Sequence, residues 1–473
     1  MSTIRTHAKK AALTGRPRVQ TQWVWGVNEK RRWIIFGIKF AIFLALPWIP
    51  VDGQPALFFD LANRQFHVFG AVFWPQDFYM LGLVLAVAAV LLFFTTSLVG
   101  RVFCGHACPH TLLTSLFMQV DHWIEGDRPK RLAMDGGKWT PETVARRTLK
   151  HAVWLAIAGW MGFTFVSYFT GAHALAQSFA TFSLSGPALG VWLFVSGLTL
   201  AFAGHLRDWV CVTVCPYGRF QSAMQDDDSL LVTFDAVRGD PRGKTKEVRE
   251  RGGCVECGMC VTACPMGIDI REGYQYECIT CGRCVDACDK TMDMIGAPGG
   301  LIRYVSLQEW SHHQAHPEEP LPPLKAHKWI RPRLVWYAAV LVSLLGLLTY
   351  MVATRPLYGL EAVRDRGRII TLADGRVSNL YSLKLLNKDK HPHRFQVVLT
   401  GLDGELILGQ NPIELAPGAI QQLNASVVVK PGALDRPLPF TFKLIDAATG
   451  QEHDAAKATF VGPAAAPAST SRR

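Results

Sequence analysis

Charge is scarce in this chain of 473 residues: Asp, Glu, Lys and Arg make up 18% against 49% hydrophobic residues, and mean hydropathy is +0.15. That balance excludes an ordinary soluble protein of this size and points to a bilayer. The formal net charge of +11 comes without any aromatic-interleaved basic stripe, so nucleic acid is not an expected partner. Lys and Arg placed beside membrane spans account for the surplus. The chain also lacks a Cys-x-x-Cys-His haem run, a phosphate-binding glycine loop and a dinucleotide fingerprint. Those absences exclude a covalent haem, a nucleotide site and a nicotinamide site of its own. Cysteine is missing from most of the sequence, because all twelve fall within 104–108, 211–215, 254–264 and 278–288. A disulfide framework would scatter them through loops, and a packing role would scatter them singly through the core.

Five stretches are long and apolar enough to span a bilayer, which takes about 20 helical residues. They run over 33–51, 79–99, 152–170, 187–204 and 334–353, and the first contains Lys39, Pro47 and Pro50. That first stretch follows some thirty polar residues without a small-residue cleavage site, so it reads as an uncleaved anchor. The N-terminal tail carries eight Lys or Arg and the 100–150 loop eight more, whereas 52–78 carries only Arg64 and 171–186 none. The positive-inside rule then places the tail, 100–150 and the long 205–333 segment in the cytoplasm, and the C-terminal region in the periplasm. Every cysteine thereby lies on the reducing side.

Past the last span, 381–386, 395–400, 423–429 and 440–445 mix β-branched and aromatic residues in strand-like lengths. Turn signals at Asp374-Gly375, Asp403-Gly404, Pro417-Gly418 and Pro431-Gly432 separate them, and the pattern predicts a β-sandwich of six to eight strands. The Ala/Pro/Ser-rich tail from 462 is expected to be disordered. The domain plan is therefore a tail (1–32), four helices (33–204), a cytoplasmic segment (205–333) with a dicluster domain near 245–295, a fifth helix (334–354) and an outer domain (355–473). In fold class this is a multi-domain membrane protein: an α-helical bundle, a ferredoxin-like α+β domain and an all-β, Ig-like sandwich.

The strongest chemical signal is a repeated spacing. Cys254, Cys257, Cys260 and Cys264 follow C-x2-C-x2-C-x3-C-P, and Cys278, Cys281, Cys284 and Cys288 repeat it, with Asp289 in place of the final proline. This is the bacterial dicluster ferredoxin pattern. Three thiolates on one tight loop grip three corners of an iron–sulfur cubane, and the fourth corner takes a remote cysteine. The expected ligands are Cys254, Cys257, Cys260 and Cys288 for one [4Fe–4S] cluster, and Cys278, Cys281, Cys284 and Cys264 for the other. Gly258 and Gly282 give the backbone freedom to approach the inorganic sulfurs. Zinc also binds paired Cys-x2-Cys groups, but two identical four-cysteine runs disfavour it.

Two further pairs, Cys104/Cys108-Pro109 and Cys211/Cys215-Pro216, sit at the cytoplasmic ends of spans. A shift of 107 residues (211 minus 104) superposes them and also matches Ser115 with Ser222 and Asp121 with Asp228, which suggests an internal duplication. If each pair lies on a helix, its i, i+4 spacing puts both sulfurs on one face, with the proline at a helix end. Such thiolates could hold Cu(I), exchange with a disulfide, join into one four-thiolate site, or simply pack near the headgroups. His106 and His110 are additional copper candidates. His312, His313 and His316, with His327 beyond, read as a solvated linker, and His391 and His393 as surface residues.

With those motifs in place, the chain resembles the cytochrome c oxidase accessory protein family CcoG, also called FixG or RdxA. The resemblance is carried by the two Cys-x3-Cys-Pro modules, the run from Gly253 to Asp289, and Cys264-Pro265-Met266-Gly267-Ile268-Asp269-Ile270-Arg271 followed by Tyr276-Glu277-Cys278. It implies a cupric reductase of the bacterial inner membrane that reduces Cu(II) to Cu(I) in the cytoplasm for cbb3-type oxidase assembly. The copper-reduction site would be Cys104, Cys108, Cys211 and Cys215. The partners implied are copper ions, a copper chaperone, a copper-exporting ATPase and the oxidase assembly machinery, with an electron donor the sequence does not name. Two alternatives remain open: a quinol-linked electron conduit to another membrane enzyme, and an assembly scaffold without reductase activity.

Overall fold

The computed structural model describes residues 19–319, 330–372, 375–389, 391–430 and 437–462. The chain divides into two compact units, Met1–Leu348 and Thr349–Arg473. In the first, α1 (Val27–Ala45) leads into two small antiparallel sheets, a hairpin of β1 (Pro50–Val51) with β2 (Gln54–Pro55), and a meander of β3 (Leu57–Asp60), β4 (Gln65–Val68) and β5 (Ala71–Phe73). Then come α2 (Phe78–Val99), α3 (Pro109–Glu125), α4 (Arg128–Gly136), α5 (Pro141–Thr170), α6 (Ala172–Ala180) and α7 (Gly186–Thr199).

Among the described residues, four helices are long and apolar enough to cross a bilayer: Phe78–Val99, Pro141–Thr170, Gly186–Leu206 and Pro332–Ala353 (α14). Hardly any of the most apolar window of α2 is buried by protein, and none of that of α14. Both helices are apolar all round, as lipid contact requires. The expected 33–51 span is not among the four. Its helix ends at Ala45, a 3-10 turn over Leu46–Trp48 carries Pro47, and β1 begins at Pro50. Proline lacks the N–H that would continue the helix. The 52–78 connection is likewise not a plain loop but the β3–β5 meander. α5 starts well before its apolar stretch, at a Thr140 cap whose side chain accepts from Thr143 N, and its thirty residues reach about 45 Å at 1.5 Å per residue.

After α8 (Pro216–Met224), strand β6 (Leu230–Phe234) pairs antiparallel with β7 (Ile302–Ser306), and between them run α9 (Ala236–Gly239), α10 (Lys246–Glu250), α11 (Met259–Thr262) and α12 (Arg283–Ile295). Val232, Phe234, Ile270, Met292, Leu301 and Ile302 form the core of this α+β domain around Cys254, Cys260 and Cys288. α11 stops one turn into its course, just before Cys264-Pro265, whereas α12 runs on for 13 residues through the matching position. Asp289 in place of proline permits that continuation, and its carboxylate accepts the Gly300 N–H at 2.8 Å.

His312 and His313 lie on a helix, α13 (Leu307–Ala315), not in a linker. The helix is started by a Ser306–Glu309 capping box. His313 is buried, its Nδ1 2.7 Å from the Glu319 carbonyl. His312 and His316 stack at 4.8 Å beside Glu319 and Glu318. His327 lies outside the described residues.

The second unit is the expected sandwich. Its strands are β8 (Tyr358–Thr371), β9 (Val377–Asn387), β10 (His393–Thr400), β11 (Gly404–Leu408), β12 (Ile413–Leu415), β13 (Ile420–Val429), β14 (Leu438–Asp446) and β15 (Glu452–Phe460), in two four-stranded sheets ordered β12-β10-β14-β15 and β11-β13-β9-β8. Alternate residues point inward, so Tyr381, Leu383, Leu385, Phe395, Val397, Phe442 and Leu444 fill the space between the sheets. The turn signals at Asp374 and at Pro431-Gly432 and the tail beyond 462 lie outside the described residues. His391 is exposed, but His393 is half-buried, its Nε2 2.9 Å from Asp389 Oδ2 and 3.0 Å from Tyr358 Oη. Phe442→Ala should destabilise the sandwich by about 3–5 kcal/mol. Limited proteolysis should then cut beyond residue 349 faster, with the visible absorption of the metal-bearing domain unchanged.

Candidate metal centres and the cysteine quartet

Three groups of four cysteines are brought together, and none of the twelve is in a disulfide. Cys254, Cys257, Cys260 and Cys288 line one small cavity. Cys264, Cys278, Cys281 and Cys284 line a second, and Cys260 lies on the wall of both. Apart from the shared Cys260 in the second, each cavity takes three cysteines from one motif and the last from the other. The helix α12 makes the exchange possible, because Cys284 and Cys288 are one turn apart and face different cavities.

The two motif loops have the same backbone. Glu256 and Thr280, each two residues past the first cysteine, have φ of 53° and 54°; Gly258 and Gly282, two further on, have φ of 70° and 74°. Non-glycine residues held at positive φ carry strain of about 1–3 kcal/mol. Their recurrence at matched positions marks a backbone shaped for a purpose. Residues alternating between right- and left-handed conformation turn successive N–H groups inward, making a nest for an anionic group. An iron–sulfur cluster with four thiolates is such a group, so the residues fit it. The thiols line cavity walls instead of converging on one point, as a multi-iron cluster needs and a single zinc ion does not. At Gly282 the glycine serves a second purpose, because a Cβ there would lie 2.6 Å from both Asn28 Cγ and Tyr304 Oη.

Burial pushes these thiols up, with neighbouring cysteine charge adding to it: Cys264 and Cys288 to about 12, Cys260 and Cys278 to about 11. Ligation must therefore displace protons, and bound iron supplies the positive charge that makes thiolates tolerable there.

The third group consists of Cys104, Cys108, Cys211 and Cys215. Both pairs sit on the same local structure: a π-helical turn (Phe103–Ala107, Val210–Val214), an extended cysteine, then proline as first residue of a helix. The Cys108 N–H donates to the Phe103 carbonyl and the Cys215 N–H to the Val210 carbonyl, each at 2.8 Å. Gly100 and Arg207, also 107 residues apart, both have positive φ, 59° and 44°. The duplication suggested by the sequence thus extends to the backbone, although α8 stops before Asp228 while α3 continues past Asp121. The regular-helix spacing expected for each pair is replaced by the wider π turn.

The four cysteines of this group are mutual neighbours. Burial first, then the charges of the other three cysteines, push Cys211 up to about 12; Cys104 is pushed to about 11 by burial, against the pull of Arg101. Cys104 Sγ lies 3.5 Å from Gln221 Oε1, which also accepts from Arg101 Nε at 2.7 Å. Cys104 packs in one cluster with Cys278 and Cys281, and Cys211 and Cys264 pack against it, so Cys104 and Cys211 of the quartet abut the second cavity. Contact there is backbone-close: a Cβ on Gly105 would lie 2.6 Å from the Ile279 carbonyl oxygen and 2.7 Å from Cys281 Cα. His106 is buried beside α1, its Nδ1 without a partner; burial and then Arg32 lower it to about 4. His110 Nε2 is 3.0 Å from the Arg207 carbonyl, and the ring lines a separate apolar cavity.

Sequence reasoning missed the residues that lock these parts together. Glu29 is fully buried and receives Arg283 Nε at 2.9 Å, Arg283 Nη2 at 3.0 Å and Arg32 Nη1 at 2.6 Å. Arg32 also donates to the Gly105 carbonyl at 2.7 Å and to Ser115 Oγ at 2.8 Å. Arg32 is therefore a structural cation, not the membrane-flanking charge expected. Asp286 of α12 accepts the Asn28 and Glu29 N–H groups at 3.1 and 2.9 Å, capping α1 from another helix. The available signal was Glu29 itself, the only acid in the first fifty residues.

Comparison with known proteins agrees with this geometry. Family models match for a 4Fe-4S binding domain (residues 81–131), a 4Fe-4S dicluster domain (206–307) and an IG-like fold at the C-terminus of FixG (348–463). Protein RdxA of Cereibacter sphaeroides is 39% identical over 80% of this chain and 81% of its own length. The chain belongs to the FixG/RdxA family. Nitrogen fixation protein FixG of Rhizobium meliloti is 33% identical (80% of this chain, 78% of FixG), and protein RdxB of Cereibacter sphaeroides 36% (80% of each). As a FixG/RdxA protein, the chain is a membrane-associated 4Fe–4S electron-transfer protein.

Two variants check the frame. Burial alone would raise the Glu29 carboxyl, but Arg283 and Arg32 hold it at about 2, below its ordinary 4.5. Its contribution is therefore complete above about pH 5 and disappears as pH falls towards 2. Glu29→Gln, leaving two buried cations short of a counter-charge, should cost about 3–5 kcal/mol at pH 7. In thermal unfolding, the gap to the parent protein should narrow as pH falls below 4.5. Gly105→Ala should displace the Ile279–Cys281 backbone and halve the iron content, which metal analysis with EPR would read as loss of the second centre alone.

Proposed function

We propose that this protein is a cupric reductase: Cu(II) bound by Cys104, Cys108, Cys211 and Cys215 takes up one electron through the ferredoxin domain and leaves as Cu(I). The observation that carries this reading is that the four thiols are neighbours and that two of them, Cys104 and Cys211, pack against the wall of the second cysteine cavity. Thiolates are soft ligands that prefer Cu(I), so the quartet biases the couple towards the reduced ion. The balance is simple: one electron enters, the copper charge falls by one, and the sulfurs remain thiolates.

In this reading Cys254, Cys257, Cys260 and Cys288 hold one [4Fe–4S] cluster, and Cys278, Cys281, Cys284 and Cys264 the other. When bound, such clusters supply one-electron transfer. The chain's own contribution is position. Cys257 is exposed, giving the first cavity an edge towards solvent, while the second is covered by Gly105 and the quartet. The Lys/Arg distribution supports a cytoplasmic face for all three groups and a periplasmic sandwich at a bacterial inner membrane. Cu(I) would pass to a copper chaperone or a copper-exporting ATPase and serve cbb3-type oxidase assembly, with the sandwich as the docking domain.

One observation favours a second reading. The 4Fe-4S binding family model over residues 81–131 covers Cys104 and Cys108 and none of the ferredoxin-motif cysteines. On that reading the quartet holds a third cluster. Iron analysis of anaerobically purified protein separates the two: about eight iron per chain for two clusters, about twelve for three. With eight, serine at all four quartet positions should abolish Cu(II) reduction by dithionite-reduced protein, followed with a Cu(I) chelator, and leave the cluster EPR signals intact. Unchanged reduction would overturn the copper assignment.

A further inference from the structure

A further cavity lies outside the ferredoxin domain. It lies between α1, the start of α3, α5 and the α7 segment, encloses about 430 Å³, and is lined almost wholly by apolar atoms. That volume is in the range of ligand sites that bury a drug-sized molecule. Phe40, Phe43, Phe165 and Phe202 supply flat rings around it, and its polar side chains are Lys39, His110 and Thr199. Phe165 and Leu198 on its wall are about two-fifths exposed, so it opens sideways from the apolar face of two bilayer-crossing helices.

Lys39 and His110 lie next to the quartet. Pro109 and His110 directly follow Cys108, and Lys39 Nζ donates to the Ala107 carbonyl at 2.5 Å. His110 Nε2 donates to the Arg207 carbonyl at 3.0 Å, which leaves Nδ1 as an acceptor for a ligand hydroxyl; Lys39 keeps two further N–H donors. The site therefore asks for a flat, lipid-soluble molecule with oxygen at its ring and a hydrocarbon tail. A phospholipid offers flexible acyl chains to the same wall, whereas the four phenylalanine rings suit the faces of a flat ring.

We propose that this cavity binds the ring of an isoprenoid quinol or quinone, with a ring oxygen accepting from Lys39, the quinol's hydroxyl donating to His110 Nδ1, and the tail leaving between α5 and α7 into the lipid. The chain has no flavin or nicotinamide motif of its own, and such a ligand would bring a bilayer-borne reductant to within two residues of Cys108. The proposal concerns binding alone and stands whether the quartet holds copper or iron.

The test uses the full chain in nanodiscs and a short-chain azido-ubiquinone, with cross-links mapped by mass spectrometry. Labelling is expected in 109–113 and 195–203 and should be competed by unlabelled short-chain ubiquinone. Leu198→Trp, and independently Leu113→Phe, narrow the cavity without touching a cysteine. Each should weaken competition at least tenfold with cluster EPR unchanged, so that one well-folded variant suffices. Labels spread along α2 and α14, competition indifferent to both variants, or a phospholipid that native mass spectrometry shows quinone does not displace would each overturn the proposal. None of these readouts involves copper.

Discussion

The arrangement depends on one fully buried carboxylate. Glu29 at the start of α1 is shared between Arg32, which reaches the first cysteine module at Gly105 and Ser115, and Arg283, which begins the helix carrying Cys284 and Cys288. Desolvating three charges costs energy that only close, fully hydrogen-bonded geometry offsets. Such a network tolerates little displacement. It therefore fixes α1, the first cysteine module and the helix that carries Cys284 and Cys288 in one frame.

Around that frame, the same solution is used repeatedly. The two ferredoxin loops share positive φ at matched positions, and the two membrane-edge modules share a π turn, an extended cysteine and a helix-starting proline. A π turn makes room for one extra residue per turn and often marks functional sites. Its recurrence 107 residues apart is stronger support for duplication than the few matching side chains.

What could be read from the amino acids was whatever has a fixed period or spacing. The cross-over of Cys264 and Cys288 between cavities follows from the C-x2-C-x2-C-x3-C pattern, and the sandwich strands follow from alternation around Tyr381–Leu385 and Phe440–Leu444. What could not be read was set by contacts between distant residues. Arg32 looks like any other cation in a basic run until Glu29 and Arg283 are found against it. The first expected span fails because a hydropathy average does not register that Pro47 and Pro50 end the helix. His313 reads as linker because its partners, Asp235 and the Glu319 carbonyl, become neighbours only after folding.

The borrowed cap on α1 bears on how the protein is made. The carboxylate that completes the first turn of α1 belongs to Asp286, 258 residues further along the chain than Asn28. During synthesis the ribosome finishes the preceding membrane helices long before it delivers that side chain. Until then the first turn of α1 has exposed amide ends and Glu29 has only Arg32 of its two arginines, so this turn can seat only after the helix that carries Cys284 and Cys288 has emerged. Biogenesis thus has a built-in order, in which the start of α1 settles after a part of the chain made much later.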